Sequence, residues 1–167
     1  IGTSVTIPDG AVSATFAVTP TDDTEVENVE SVVVTLLGGS FYEVGTPSVA
    51  TVTINDNDKY QVSVKSLVPL SQEQDPGTHS SRFVVSRLGE PVRDLEVHLA
   101  WSGTAANGID YLSIPSEVTI PPGSSSVEVP LVPIDDDLRE SNETVILFLN
   151  NDTKYEIGSP SLASALI

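Results

Sequence analysis

The chain has 167 residues, enough for one large or two small domains, and carries 24 acidic against 7 basic residues, a net charge of −17. So negative a surface repels phosphate backbones and anionic membranes, which argues against nucleic acid as a partner and favours cations. No apolar run approaches the roughly 20 residues of a membrane helix, so no membrane insertion is predicted for this segment. The absence of cysteine excludes disulfides and thiolate zinc sites.

Period-two alternation of apolar residues predicts strands along most of the chain. In chain order they lie near residues 14–18, 32–36, 50–54, 60–66, 81–87, 94–101, 127–131 and 145–149. The run Pro121-Pro122-Gly123 predicts a turn between two neighbouring strands. Because β-branched residues dominate and no helical period persists, the predicted fold class is all-β.

The chain also repeats itself. When VTIPDG at Val5 is placed over VTIPPG at Val118, residues 5–54 and 118–167 run in step without a gap. A spacing of this size is typical of one β-sandwich domain. We therefore expect two repeats: residues 1–58 as the second half of a first unit, and 59–167 as a nearly complete second unit that lacks its closing acidic turn.

Two acidic loops occupy matching positions in the repeats. One is TDDTEVENVES (21–31) and the other is IDDDLRESNET (134–144), while NDND (55–58) ends the first copy. Ca²⁺ requires six to eight oxygen ligands, which loops from several strands can supply where they meet at one end of a sandwich. Acidic runs are also often solvated loop faces, but here the carboxylates recur while neighbouring residues drift, which favours Ca²⁺ as a cofactor.

These motifs resemble the Calx-β domain, which occurs as tandem copies in sodium–calcium exchangers, cell-surface adhesion proteins and secreted bacterial proteins. The resemblance rests on both acidic loops, on NDND, and on the G-T-A-x-x-G-x-D-Y element from Gly103 to Tyr111. It implies tandem, seven-stranded, immunoglobulin-like antiparallel β-sandwiches with Ca²⁺ at one end.

The resemblance also implies a set of metal ligands. In the first copy they are Asp22, Asp23, Glu27, Glu30, Asp56 and Asp58. In the second copy they are Asp110, Asp135, Asp136, Glu140 and Glu143, with Glu73 as a weaker match. Neither set is complete within this chain, and Asn57 replaces an Asp that some family members carry. Asp110 has a second interpretation, because an Asp in a glycine-containing loop also holds turns through backbone hydrogen bonds.

The predicted function is a non-enzymatic, calcium-binding structural or adhesive module of a larger extracellular or cell-surface protein. Its expected partners are calcium ions, neighbouring repeats of the same chain and another protein. His79 and His98 lack any catalytic motif and are interpreted as ordinary surface or strand residues, and Trp101 as a core residue. Two alternatives remain open: a Ca²⁺-sensing segment of a membrane transporter, and a metal-free spacer or accessory domain of a secreted enzyme.

Overall fold

The computed structural model of the chain describes residues 2–68, 70–71, 81–137 and 141–167. These residues form ten strands, confirming the all-β prediction. They form two compact units: the first comprises residues up to Thr24 together with Asn28–Asp56, and the second comprises Glu25–Glu27 and Asn57–Ile167. None of the described residues belongs to a helix that is long and apolar enough to cross a membrane.

The first unit contains one antiparallel hairpin. Strand β1 (Glu30–Thr35) pairs with β2 (Val49–Ile54), and Glu30 lies opposite Ile54 in the register. Both strands coincide with segments that alternation predicted. The strand predicted at 14–18 is wrong, because those residues do not pair into a sheet.

The repeat explains why that prediction failed. Positions 14–18 correspond to Val127–Leu131, which in the second unit pair with a strand that has no counterpart in the first. Without a neighbouring strand, the segment has no partner for its backbone N–H and C=O groups. Its apolar side chains are uncovered too: Phe16 is 48% exposed, whereas the equivalent Val129 is 3% exposed.

The second unit is a sandwich of two four-stranded sheets. One sheet has the order β10-β8-β5-β6 and the other β7-β4-β3-β9. The strands are β3 (Tyr60–Val68), β4 (Ser81–Leu88), β5 (Leu95–Gly103), β6 (Glu117–Ile120), β7 (Ser126–Leu131), β8 (Thr144–Leu149), β9 (Tyr155–Ile157) and β10 (Leu162–Leu166). The turn predicted at Pro121–Gly123 lies between β6 and β7, and Gly123 adopts a positive φ of 78°.

Alternate residues of the two sheets face each other and form the core. Val62, Phe83 and Val85 come from one sheet, and Val97 and Leu147 come from the other, all without solvent exposure. Val26, 2% exposed, joins this core, which explains why Glu25–Glu27 belong to the second unit. Trp101 is half-buried against the core, with its ring edge-on to Phe83 at 5.8 Å between centroids.

The second unit has eight strands where the family resemblance implied seven. The extra strand arises because the last edge segment changes sheets. Gly158 N–H donates to Val62 and Pro160 C=O accepts from Val64, both in β3, but Ser161 C=O accepts from Leu149 in β8. One continuous segment is therefore divided into β9, which is parallel to β3, and β10, which is antiparallel to β8.

Candidate metal site at one end of the sandwich

Asp110 closes the loop that follows β5. Its Oδ2 accepts a hydrogen bond of 2.6 Å from the backbone N–H of Ala106, and its own N–H donates to Ala106 C=O at 3.1 Å. Asn107 holds the other side of the loop through two side-chain hydrogen bonds of 2.9 Å with the backbone of Ile114. Asp110 thus has the turn-holding role recognised in the sequence, and one carboxylate oxygen takes part in it.

The acidic loop after β7 is bonded directly to this segment. Ile134 N–H donates to Asp110 C=O at 2.9 Å, and Leu112 N–H donates to Val132 C=O at 2.8 Å. Asp135 follows Ile134, so the backbone pairing brings the start of the acidic loop beside Asp110. The side chains from Asp135 to Asp137 are exposed, whereas Asp110 is half-buried.

Glu143 lies at the same end, where β8 begins. Its backbone exchanges two hydrogen bonds with Ile167, N–H to O at 2.9 and 3.0 Å. The next residue, Thr144, accepts hydrogen bonds at its C=O from Thr104 N–H at 3.0 Å and Ala105 N–H at 3.1 Å, which joins β8 to the Asp110 loop. Glu143 Oε2 is shielded from solvent, and a shielded carboxylate is stabilised by a nearby cation or hydrogen bond.

Three segments therefore converge on one end of the second unit: the loop of Asp110, the loop of Asp135 and Asp136, and the start of β8 at Glu143. Their donors are carboxylate and carbonyl oxygens, the ligand chemistry that Ca²⁺ prefers. Among the described residues, the oxygens of these carboxylates do not lie close enough together to bind one ion as they stand. One group of three side chains does have such spacing, and it lies in another part of the second unit. Glu73 and Glu140, the remaining predicted ligands of this copy, lie outside the described residues.

The predicted ligands of the first copy are divided between the two units. Asp22, Asp23, Glu30 and Asp56 belong to the first unit, and Glu27 and Asp58 belong to the second. Within the second unit, Glu27 C=O accepts a hydrogen bond of 3.2 Å from Arg93 Nη1. Within the first, the pairing of Glu30 with Ile54 repeats the pairing of Glu143 with Ile167.

The sequence profile of the Calx-beta domain matches residues 2–58 and 73–167, which is most of the chain. The chain belongs to the Calx-beta domain family. None of the curated proteins matches it in sequence.

Two solved Calx domain structures share the fold. CBD12 from CALX1.2 superposes with a TM-score of 0.51 at 20% identity, covering 64% of this chain and 43% of that one. The apo-form Calx CBD1 domain gives 0.50 at 20% identity, covering 66% of this chain and 96% of that domain. The calcium binding domain CBD12 of CALX1.1 gives 0.48 at 21% identity, over 63% and 43%.

Sequence reasoning missed a cluster that this Calx-beta sandwich forms on the outer face of β5 and β6. Glu96, His98 and Glu117 place one ligand atom each within 4.8 Å of the others, and Asp152 lies against the same imidazole. His98 was interpreted as an ordinary strand residue because no second histidine lies at metal-ligand spacing. The available signal was Glu-x-His within a predicted strand, which places both side chains on one face.

Proposed function

We propose that this chain is a calcium-binding structural module whose second unit holds Ca²⁺ between the Asp110 loop, the acidic loop and the start of β8. The observation that carries this proposal is the hydrogen bond from Ile134 N–H to Asp110 C=O, since it joins the two loops that bear the carboxylates. Asp110, Asp135, Asp136 and Glu143 are the described residues that would hold the ion, and Glu140 is the further candidate.

The donor set favours Ca²⁺ over other metals. It offers carboxylate and backbone oxygens from loops without any imidazole or thiolate, and Ca²⁺ accepts such sets with variable geometry. A bound divalent ion would offset the repulsion among these carboxylates in a chain of net charge −17. It would also connect three chain segments, so binding would stabilise the folded state.

The role that this chemistry fits is mechanical. Tandem sandwiches with ions at their ends behave as stiffened spacers, and two family segments along one chain are consistent with such an array. We propose an extracellular or cell-surface location, where free Ca²⁺ is high enough to occupy sites of modest affinity. The neighbouring repeats and another protein are the proposed macromolecular partners.

A calcium-sensing segment of a transporter is the second candidate, favoured by the fold shared with the CALX domains. The two functions differ in what Ca²⁺ does to the shape of the molecule. A stiffening module gains stability and keeps its dimensions, whereas a sensor must bind Ca²⁺ differently in two conformations. Small-angle scattering with and without Ca²⁺ distinguishes them by the change in radius of gyration.

Calorimetric titration of the whole chain with Ca²⁺ tests the proposal. The combined substitution Asp135→Asn and Asp136→Asn keeps the size of both side chains but removes two charges, so we expect affinity to fall by roughly tenfold or more. Asp94→Asn is the matched control, because Asp94 is an exposed aspartate just before β5, at the other end of the strand from the Asp110 loop. Equal affinity of the double variant and the control would refute the site.

A further inference from the structure

The cluster on β5 and β6 follows from strand register. His98 lies directly opposite Glu117 in the antiparallel pair, and Glu96 lies two residues before His98. Because side chains alternate along a strand, the buried Leu95, Val97 and Leu99 place Glu96 and His98 together on the outer face. Directly opposite residues have Cβ atoms about 5 Å apart, close enough for their side chains to share a ligand.

The distances agree with this register. His98 Nδ1 lies 3.8 Å from Glu117 Oε2, and His98 Nε2 lies 3.8 Å from Glu96 Oε1. The three ligand atoms all lie within 4.8 Å of one another. A tetrahedral ion at about 2.0–2.2 Å from each donor, as zinc is, requires donors roughly 3.3–3.6 Å apart, so these exposed side chains would close around it by up to about 1 Å.

A fourth group, Asp152, orients the imidazole. Its Oδ2 lies 3.4 Å from His98 Nε2, and its Oδ1 accepts a hydrogen bond of 2.7 Å from Lys154 N–H. That backbone hydrogen bond is the main reason why the pKa of Asp152 is lowered, and the charges of Lys154 and His98 lower it further. Metal-binding histidines commonly have such a carboxylate beside the imidazole, as an acceptor for the second ring N–H.

The backbone beneath the cluster is fixed as well. His98 N–H donates to Tyr155 Oη at 3.1 Å, and Asn150 N–H donates to His98 C=O at 2.9 Å. The segment that carries Asp152 is therefore bonded to β5 on either side of the aspartate. His98 Nε2 thus faces Glu96 and Asp152, whereas Nδ1 faces Glu117.

We propose that Glu96, His98 and Glu117 bind a divalent transition-metal ion of the zinc class, with Asp152 as the positioning residue. The ion is held by the His98 imidazole and two carboxylates, and water completes its shell. One imidazole and two carboxylates suit zinc, whereas Ca²⁺ takes oxygen ligands. The half-exposed side chains give the ion a path from solvent.

This site is distinct from the proposed calcium site. His98 lies five residues before Gly103, where β5 ends and the Asp110 loop begins, a separation of roughly 16 Å along a strand. The two sites also differ in ligand chemistry, so the calcium site can be saturated with Ca²⁺ while Zn²⁺ binding to the cluster is measured.

Calorimetric titration with Zn²⁺, in the presence of saturating Ca²⁺, tests the proposal on the whole chain. We expect one Zn²⁺ per chain, at least tenfold weaker binding for His98→Gln, and unchanged binding for His79→Gln, which removes the other histidine. Asp152→Asn should weaken binding by about tenfold, the typical effect of losing a carboxylate behind a metal-bound histidine. Equal Zn²⁺ affinity in wild type and His98→Gln, or no Zn²⁺ binding, would overturn the proposal.

A second measurement follows Zn²⁺ binding to the wild-type chain by NMR. The two histidines give few imidazole signals, and the spectrum of His79→Gln assigns them by difference. Zn²⁺ should shift or broaden the His98 ring signals at lower concentration than those of His79. A cross-strand ion pair that only stabilises the sheet predicts equal responses of both rings, and that outcome would contradict the metal site even if His98→Gln failed to fold.

Discussion

Glu143 and Ile167 form a closed backbone pair, with Glu143 N–H to Ile167 O at 2.9 Å and Ile167 N–H to Glu143 O at 3.0 Å. Glu30 lies opposite Ile54 in the antiparallel register of the first unit. In each copy a glutamate thus lies at or just before the start of one strand and opposite the end of another. In the first copy the acidic NDND follows Ile54 immediately. The repeat therefore preserves the position of a carboxylate relative to the end of the sheet.

This pairing predicts that Glu143 can lose its charge without loss of the fold. Glu143→Gln keeps the backbone hydrogen bonds with Ile167 and removes one anionic ligand, so we expect Ca²⁺ affinity to fall by roughly tenfold with little change in the urea midpoint. Glu156→Gln, at an exposed position in β9, is the control. If both variants bind Ca²⁺ as the wild type does, Glu143 is not a ligand.

Arg87 should be among the most important residues for stability. It is 4% exposed, and its guanidinium donates to Ser124 C=O at 2.9 Å and Pro121 C=O at 2.8 Å while lying 4.8 Å from the centre of the Tyr60 ring. Arg87→Met removes the guanidinium donors of these carbonyls and the contact with the Tyr60 ring, so we expect a loss of about 3 kcal/mol.

Urea denaturation measures this loss, and Arg82→Met provides the control. Arg82 lies five residues before Arg87 on β4 and pairs with Glu128 at 3.7 Å, with both side chains about half exposed. Exposed pairs of this kind contribute about 0–1 kcal/mol. Equal destabilisation by the two substitutions would show that the buried hydrogen bonds of Arg87 are not the reason for its importance.

Gly103 should not tolerate a side chain. Its φ is +128°, and a Cβ atom there would overlap the carbonyl of Thr144, which belongs to the rigid backbone of β8. We expect Gly103→Ala to destabilise the second unit by about 3 kcal/mol or more. Gly123→Ala also has a positive φ but open space around the new methyl group, so about 1 kcal/mol is expected. Similar thermal midpoints for the two variants would contradict this difference.

Alkaline pH should destabilise the sandwich partly through Tyr111. Burial, and then the charge of Asp110, raise the pKa of the Tyr111 phenol above its ordinary value of 10.0. The folded state therefore retains this proton where the unfolded state loses it, so the contribution to stability is complete below pH 10 and decreases as the pH rises through the folded pKa. Tyr111→Phe should reduce the fall in stability above pH 10, as measured by urea midpoints; an unchanged alkaline profile would exclude this cause.

Sequence alone predicted most of the second unit. Its strands near 60–66, 81–87, 94–101, 127–131 and 145–149 could be predicted because one face of each sheet is buried, which imposes strict alternation. The turn at Pro121–Gly123 could be predicted because few residues adopt its backbone conformation.

The segment at 14–18 shows the limit of that reasoning. Its apolar and polar residues alternate as those of β7 do, and yet it forms no strand. A strand forms only where a neighbouring strand is present to pair with it, as β4 is for β7. The alternation of apolar residues also could not predict that the last edge segment divides into β9 and β10. The two parts differ in the strands with which they pair, and the local sequence does not specify those partners.

The two candidate metal sites also differ in how far the sequence could predict them. The acidic loop could be recognised because its carboxylates recur in both repeats, whereas the cluster of Glu96, His98 and Glu117 has no copy in the first unit. Recognising that cluster requires the register of β5 against β6, which brings together residues about 20 positions apart in sequence.

The thermal midpoint of the whole chain, measured in Ca²⁺ and again after addition of a calcium chelator, tests whether a bound ion stabilises the second unit. If an ion joins the Asp110 loop, the acidic loop and the start of β8, Ca²⁺ at about 100 times its dissociation constant should add about 2.7 kcal/mol and raise the midpoint of the second unit by roughly 10 °C. The variant with Asp135→Asn and Asp136→Asn should lose most of that shift, and Asp94→Asn should keep it. A midpoint that is the same with Ca²⁺ and with chelator would contradict the account.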